Sequence, residues 1–269
     1  MNEDSLTIIV SSPDSYRDVF NNFLRFFKLN WPDCPYRLVL TTNSILCEDS
    51  AADTVFNDSG CNWCKRVLNA VEHTASPYIL TFVDDDYISA PVDTKAVREI
   101  IFTMEKNSIR YCKRPVARPK QPLYNAIPHL HSISYREPYG LTLGTAFWHR
   151  DFLVKQLSDG SMDGWALENK WLEDTLDSPD GYFEGCVVDD RNLLNIVHCV
   201  SKGKWIPGGL KKMRESGCEV DTGTRAILPK KNTNINNIKC SIGLCISTRN
   251  RLRIKKVLRK LGMKFTTDY

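Results

Sequence analysis

The stretch Tyr78-Ile-Leu-Thr-Phe-Val-Asp-Asp-Asp-Tyr-Ile88 decides the fold, because an apolar, β-branched run there ends in three consecutive carboxylates. A run of this kind is typical of a buried strand in a parallel sheet. Three adjacent carboxylates repel one another unless a cation neutralises them, and hard oxygen ligands suit Mg²⁺ or Mn²⁺. A solvated acidic turn or a helix cap is the alternative interpretation. The stretch therefore predicts a strand that delivers Asp84, Asp85 and Asp86 to its carboxyl end.

The elements before this strand alternate in type. A strand over 6–12, a helix over 16–28 capped by Asp14 or Ser15, a strand over 36–40 and a helix over 61–72 precede it. Such alternation predicts right-handed crossovers and a mostly parallel sheet whose ligands bind beyond the carboxyl ends of the strands. Ser11, Ser12 and the 41–44 loop lie at such ends. No dinucleotide fingerprint or P-loop is present. The phosphates of a ligand are therefore expected to be bound through a metal ion held by carboxylates.

Length and composition indicate one large α/β domain with an appendage. The chain has 269 residues, 42% of them hydrophobic, which is enough for a substantial core. No apolar run approaches the ~20 residues of a membrane-spanning helix, and the N-terminus lacks the basic start of a signal peptide, so we expect a cytoplasmic protein. The ten cysteines are scattered through apolar segments, as free core thiols are, and the single Cys61-x-x-Cys64 pair lacks a matching second pair for zinc.

Charge divides the chain. Residues 230–269 carry 11 basic residues and one acid, whereas 25 basic and 31 acidic residues precede them. We therefore expect a globular domain over 1–225 and a basic tail over 226–269. Residues 249–261 of the tail fit an amphipathic helix. This helix would either dock on the domain or lie on the anionic inner face of the cytoplasmic membrane. No nucleic-acid partner is expected, because no recognisable binding module accompanies the charge.

Two segments after the aspartates carry further polar residues. The strand-like piece 109–122 contains Lys113 and Arg114 and is interpreted as a solvated edge strand, with a phosphate contact as the alternative. His129 and His131 are two residues apart, so they would share a strand face, either as metal ligands or as ordinary surface histidines.

A second informative stretch covers 139–174. A strand rich in small residues leads into a helix over 151–157, and another helix begins near Gly164. Glu168 lies one turn into that helix beside Trp165 and Trp171, where a raised pKa would suit a general base. The alternative is an exposed glutamate that favours the helix dipole.

These pieces together resemble the GT-A glycosyltransferases, in particular the bacterial family-2-like enzymes that build surface polysaccharides such as capsule and lipopolysaccharide. The likeness spans about residues 6–210 and rests on segments 11–17, 63–68, 78–87, 147–150, 164–168 and 203–205. It implies a Rossmann-like α/β fold and a transferase that moves a sugar from a nucleotide-diphosphate donor, expected to be a UDP-sugar, to a hydroxyl group.

The resemblance also implies roles for individual residues. The aspartates stand where the family has its DxD motif, with Asp84 and Asp86 as ligands of Mn²⁺ or Mg²⁺. The donor-binding residues that it implies are Ser11, Ser12, Asp14, Arg17, Thr41, Asn43, Trp63, Asp84 and Asp85. Asn43 stands where the family often has an acidic residue that reads uracil, which leaves the choice of nucleotide open.

On the acceptor side, the resemblance implies that Glu168 deprotonates the incoming hydroxyl for an inverting displacement. If the family's Glu-Asp pair maps instead to Glu173-Asp174, the base is Asp174. The acceptor would be a glycan or a polyprenyl-linked glycan. Two alternatives remain. One is a sugar nucleotidyltransferase, although the segment 11–17 is a poor Gly-rich phosphate loop, and the other is a non-catalytic nucleotide-sugar-binding module.

Overall fold

The structure is a computed structural model that describes residues 3–44, 47, 52–115, 121–134, 140–158, 160, 162–177, 181–229, 250, 253–254 and 257. The strands in this part of the chain are β1 (Leu6–Ser11), β2 (Arg37–Thr42), β3 (Asp53–Phe56), β4 (Tyr78–Val83), β5 (Asp86–Ile88), β6 (Tyr111–Lys113), β7 (Leu130–Ser132), β8 (Ala146–His149), β9 (Cys186–Asp189), β10 (Ile196–His198), β11 (Val200–Ser201) and β12 (Lys204–Trp205). The α-helices are α1 (Arg17–Asn30), α2 (Trp63–Glu72), α3 (Thr94–Lys106), α4 (Arg150–Leu157), α5 (Gly164–Asp177) and α6 (Pro207–Glu215).

Eight strands form a mixed, mainly parallel sheet in the order β3-β2-β1-β4-β8-β6-β9-β7. The parallel half comprises β3, β2, β1 and β4, and β8 runs antiparallel to both of its neighbours. The chain moves from β1 outward to β2 and β3, then returns to place β4 on the other side of β1. Ligands of open α/β sheets bind at such a switch point, beyond the carboxyl ends of the strands. The predicted α/β fold class, a mostly parallel sheet flanked by helices, is confirmed.

Both faces of the sheet are covered by helices. Phe23 of α1 and Ile100 of α3 pack on one face, in a cluster that includes Ile8 of β1. Val67 of α2 and Leu153 of α4 pack on the other face with α5. Because successive residues of β1 point to opposite faces, its near-continuous apolar sequence is what a strand buried on both sides requires.

The interpretation of 109–122 as a solvated edge strand is wrong for its described part. β6 lies inside the sheet between β8 and β9, and Lys113 is only 6% exposed. Two of the basic residues that suggested an edge, Lys113 and Arg114, lie at the carboxyl end of the strand, where Arg114 reaches Asp86. β3, a four-residue edge strand, was not predicted from the sequence.

The last continuous described segment, 181–229, is packed against the rest of the domain up to its end. The backbone N–H of Trp205 donates to Ala226, and that of Leu228 donates to Trp205. The predicted tail helix over 249–261 lies mostly outside the described residues, of which Ile254 and Val257 are exposed. Its membrane role and the 225/226 boundary stay predictions. Within the described residues, no helix combines the length and the apolar character needed to cross a bilayer.

Candidate functional site

The carboxyl ends of β1 and β4 are joined by a buried hydrogen bond. The Ser12 hydroxyl donates to Asp84 Oδ2 at 2.5 Å, and the two residues are 0% and 5% exposed. Burial, together with the charge of Asp85, raises the pKa of Asp84 well above its usual range, and the Ser12 bond opposes this shift. Asp84 is therefore held against β1 at the switch point, where the Ser12 bond and the charges of Arg225 and Arg66 favour its charged form.

Asp86 is the most fully engaged of the three aspartates. It is 1% exposed, and Thr145 Oγ1 donates to its Oδ2 at 2.8 Å. His198 Nδ1 lies 3.0 Å from its Oδ1, and Arg114 lies 3.4 Å away. Burial opposes the charge of Asp86, but the histidine bond and the arginine outweigh it and lower the pKa of the carboxyl. The group is thus an ionised carboxylate in a nearly closed pocket.

Asp85, Asp86 and His198 form a possible metal centre. One ligand atom of each lies within 4.8 Å of the others. Burial raises the pKa of Asp85 to about 6, partly offset by the charge of His198. Burial works against a charged His198, but the bond to Asp86 and the charge of Asp85 raise its pKa to about 9. In this arrangement a proton on the imidazole occupies the place that a cation would take.

The donor set fits a divalent ion of the kind predicted. Two carboxylates suit Mg²⁺ or Mn²⁺, and an imidazole beside them favours Mn²⁺ of the two. The sequence analysis assigned the metal to Asp84 and Asp86, whereas the structure groups Asp86 with Asp85 and His198. Because β5 pairs with β10, His198 lies directly opposite Asp86. The only sequence signal was a histidine at the end of the short apolar run 196–198.

Ser11 and Thr41 lie at adjacent strand ends beside Arg66. Arg66 Nε donates to Ser11 Oγ at 3.2 Å, and Thr41 Oγ1 donates to the Arg66 carbonyl at 2.9 Å. Asp14 lies across from them, where its carboxylate accepts the backbone N–H of Ser44 at 2.8 Å. The structure therefore brings three of the predicted donor-binding residues to one end of β1 and β2. Asp14 does not cap α1, whose N-cap is Tyr16 without a side-chain bond.

The remaining predicted donor-binding residues lie at the margins of this region. Asn43 Nδ2 donates to the Asp58 carbonyl at 2.8 Å, on the outer side of the loop. Arg17 is exposed at the start of α1. Trp63 is half-buried at the start of α2, and its indole N–H has no hydrogen-bond partner among the described residues.

Tyr16 and Arg225 form a contact beside the aspartates that sequence reasoning missed. The Arg225 guanidinium stacks on the Tyr16 ring at 4.5 Å and bonds the Asp18 carboxylate at 2.6 and 2.8 Å. Burial raises the pKa of Tyr16, and the charges of Asp84 and Asp85 raise it further, which places the phenol in the field of those carboxylates. The segment around Arg225 therefore reaches the switch point although it follows β4 by well over 100 residues.

Glu168 is linked to the aspartates through a short loop. Thr142 Oγ1 and the backbone N–H of Leu143 both donate to Glu168 Oε1, at 3.1 and 3.0 Å. Thr145, two residues further on, is the residue that bonds Asp86. Burial raises the pKa of Glu168, and the two bonds and the charge of Lys113 only partly offset the shift. A carboxylate whose pKa is raised in this way is a stronger proton acceptor than an ordinary glutamate.

Asp174, the alternative base, lies elsewhere on α5. Its Oδ2 is 2.5 Å from Lys170 Nζ, one turn earlier on the same helix. Six residues separate Asp174 from Glu168, which turns it about 240° around the helix axis. The structure therefore brings Glu168, but not Asp174, to the loop that ends at Thr145.

Comparison with known proteins gives structural similarity alone. No protein-family model and no curated protein matches the chain. A cytidylyltransferase from Leptospira borgpetersenii serovar Hardjo-bovis (strain JB197) is similar at 11% identity and a TM-score of 0.36, over 57% of this chain and 64% of that one. The bifunctional IspDF from Campylobacter jejuni is similar at 9% identity and a TM-score of 0.36, over 63% of this chain and 47% of that one. At these values the similarity carries no argument about activity.

Proposed function

We propose that the protein is a metal-dependent glycosyltransferase that moves a sugar from a nucleotide-diphosphate sugar, a UDP-sugar in the first instance, to a hydroxyl of a glycan or lipid-linked glycan. One observation supports this most: the 142–145 loop holds Glu168 at one end and Asp86 at the other. A proton acceptor and a carboxylate that would bind the cation are thereby attached to the same four-residue loop. An inverting displacement needs both groups, because a base such as Glu168 activates the acceptor hydroxyl while a cation held by Asp86 would stabilise the leaving diphosphate.

The side chains divide the work in the following way. Asp85, Asp86 and His198 would hold a divalent ion, which when bound supplies Lewis-acid stabilisation to a departing diphosphate. Ser12 and Asp84 face the donor from the switch point, where a ribose hydroxyl can bond the carboxylate. Thr142 and Leu143 both hold Oε1 of Glu168, so Oε2 is the oxygen that takes the acceptor proton.

A sugar nucleotidyltransferase is the second candidate. It is favoured by Arg66 and Arg225, whose charges act on Asp84 near the ends of β1 and β4 and could meet a triphosphate. Against it, the β1–α1 connection has no glycine and carries Asp14. Two of its backbone N–H groups, those of Ser12 and Tyr16, are already bonded to protein carbonyls.

One experiment separates the candidates. The purified protein is screened with nucleotide sugars, and in parallel with nucleoside triphosphates plus sugar 1-phosphates, each with and without Mn²⁺, for thermal stabilisation and product release. Release of nucleoside diphosphate supports the glycosyltransferase, and release of pyrophosphate supports the nucleotidyltransferase. A stabilised protein that forms neither product, unchanged by Glu168→Gln, would be a binding module. If no nucleotide stabilises the protein in any condition, the proposal fails.

A further inference from the structure

Residues 219–228, which we name the strap, contact both α1 and the hairpin formed by β11 and β12. Toward α1, Asn22 Nδ2 donates to the Asp221 carbonyl at 2.8 Å, and the Asp221 N–H donates back to Asn22 Oδ1 at 2.9 Å. Toward the hairpin, the indole N–H of Trp205 donates to the Thr222 carbonyl at 2.9 Å. The strap is therefore bonded to two elements that lie far from it in sequence.

Arg225 is the residue of the strap that reaches the candidate site. Its Nη2 donates to the Ser15 carbonyl at 2.8 Å, and its Nη1 donates to the Gly203 carbonyl at 3.1 Å. Its Nε and Nη2 also donate to the two carboxylate oxygens of Asp18, at 2.8 and 2.6 Å. One guanidinium thus ties together the β1–α1 connection, the first turn of α1 and the turn of the hairpin. A lysine ammonium lacks the planar fork of donors that this set of bonds requires.

The same guanidinium fixes the Tyr16 ring. It stacks on one face of the ring at 4.5 Å from the centroid. A Cβ added at Gly203 would lie 3.7 Å from the Tyr16 hydroxyl oxygen and 3.9 Å from Arg225 Nη1, so the three residues meet at the hairpin turn. The charges of Asp84 and Asp85 act on the phenol from beyond it. Arg225 therefore holds an aromatic ring beside the aspartates of the candidate site.

The β1–α1 connection depends on such contacts for its position. None of residues 14–16 is buried, so core packing does not fix them. Tyr16 is the N-cap of α1 and makes no side-chain capping bond, so the usual local restraint on a helix start is missing. Polar contacts hold the connection instead, since Asp14 accepts the backbone N–H of Ser44 and Ser15 accepts a bond from Arg225.

We propose that Arg225 is a positioning residue of the donor site, where it holds Tyr16 and the β1–α1 connection in the arrangement that accepts a nucleoside diphosphate. The inference rests on the proposed function, because it takes the ends of β1 and β4 as the place where the nucleotide binds. Arg225 acts through Tyr16 and residues 15–18. A connection that is ordered before the donor arrives loses less conformational entropy on binding.

Binding of UDP, CDP, GDP and ADP to the full chain with Mn²⁺, measured by calorimetry, tests the proposal. Arg225→Lys keeps the positive charge but not the fork of donors, and Arg225→Gln removes both. Each variant should raise the Kd of the nucleotide that wild type binds by at least about tenfold. The KM for the donor sugar nucleotide should rise in parallel, whereas turnover at saturating donor should change less than about threefold.

Two further variants separate this role from general loosening of the strap. Arg25→Gln is the matched control, because Arg25 Nη2 donates to the Glu219 carbonyl and so also ties the strap to α1. It lies seven residues after Asp18, about 10 Å further along the helix, and its loss should leave nucleotide affinity unchanged. Asp18→Asn should weaken binding without adding to the effect of Arg225→Gln, because both changes break the same contact.

Thermal melts establish that each variant is folded, and Asp18→Asn replaces Arg225→Gln if the latter does not fold. An Arg225→Lys protein that binds nucleotide like wild type overturns the proposal, because charge alone would then suffice. Equal losses of affinity in Arg25→Gln and Arg225→Gln also overturn it. Wild-type protein that binds no nucleoside diphosphate overturns the proposed function together with this inference, whereas nucleotide binding that the Arg225 variants retain overturns this inference alone.

Discussion

His198 lies directly opposite Asp86 in the antiparallel pair of β5 and β10, and its Nδ1 is 3.0 Å from Asp86 Oδ1. We predict that His198→Gln weakens Mn²⁺ binding by at least about tenfold, because the imidazole is one of the three proposed ligands and the backbone pairing holds it opposite Asp86. Calorimetric titration of Mn²⁺ measures the change, with His73→Gln as the control. Unchanged affinity would show that the aspartates bind the ion without this histidine.

Gly209 of α6 lets the helix approach β10 closely. A Cβ at this position would lie 2.5 Å from the His198 carbonyl oxygen and 3.1 Å from Cys199 Cα, both backbone atoms that cannot move aside cheaply. We predict that Gly209→Ala lowers the free energy of unfolding by about 1–3 kcal/mol and weakens Mn²⁺ binding as β10 shifts. Gly208→Ala, where a Cβ meets nothing within 4 Å, is the matched control and should cause neither effect. Equal behaviour of the two variants in urea unfolding and Mn²⁺ titration would contradict this account.

Glu168→Gln should greatly lower activity and stabilise the protein. The raised pKa of Glu168 means that the folded state favours the protonated carboxyl. The stability that this protonation gives is present below the unfolded pKa and is lost as the pH rises through the folded pKa. The amide keeps an oxygen for Thr142 and Leu143 without the buried charge, so the gain in Tm over wild type should grow as the pH rises through the folded pKa of Glu168. Turnover should fall about 10²–10⁴-fold.

Two controls on α5 give this prediction its specificity. Glu173→Gln changes an exposed residue five positions later and should alter neither activity nor Tm. Asp174→Asn tests the alternative base; if it removes activity while Glu168→Gln does not, the roles are reversed. A Glu168→Gln protein that melts lower than wild type at every pH would instead indicate a structural role.

Ser12→Ala should destabilise the fold through Asp84. Ser12 provides the short bond that offsets the cost of burying this carboxylate. Without it, we expect a loss of about 1–3 kcal/mol in the free energy of unfolding and weaker donor binding. Urea unfolding and nucleotide-sugar titration measure the two effects. Ser15→Ala, an exposed position in the same connection, is the control, and a Ser12→Ala protein as stable as this control would refute the prediction.

Arg225→Gln should destabilise the protein in a pH-dependent manner. The bond from Arg225 lowers the pKa of Asp18. A lowered carboxyl pKa stabilises the fold above the unfolded pKa, and this contribution is lost as the pH falls through the folded pKa. The difference from wild type should be about 1–2 kcal/mol at pH 7, limited because Asp18 is more than a third exposed, and should shrink below about pH 4.

Urea unfolding at pH 7 and pH 3 tests this pattern. Arg214→Gln removes the fully exposed Arg214–Glu219 pair and should have no measurable effect at either pH. A penalty for Arg225→Gln that is equally large at both pH values would mean that stacking on Tyr16, and not the ion pair, is what matters.

The core of the fold was predictable because its signals are local. The apolar runs of β1 and β4, and helix α3 over 94–106, follow from periodicity and β-branched content within single segments. β3 was not predicted because a strand of four residues is too short to show a clear alternation of apolar and polar residues. β6 was assigned to an edge because its basic residues were interpreted as solvated, whereas Lys113 and Arg114 lie at the carboxyl end of an interior strand.

The site was only half predictable, for a related reason. Asp84 to Asp86, Ser12 and Glu168 stand at ends of recognisable elements. His198, Thr145 and Arg225 acquire meaning only from pairings between distant segments, such as β5 with β10. A histidine in a short apolar run gives no indication of the strand that will lie beside it, because register is a tertiary property.

The pairing of β5 with β10 also determines when, during synthesis of the chain, the three proposed metal ligands can come together. Asp86 and His198 are 112 positions apart, so a ribosome has released both aspartates long before the third ligand emerges. A growing chain folds from its N-terminal side, and closing so long a loop comes late. The sheet from β3 to β4 can thus form around Ser12 and Asp84 while the ion site is still missing a ligand. The proposed ion site, and any activity that depends on it, would therefore be completed only when most of the chain has been made.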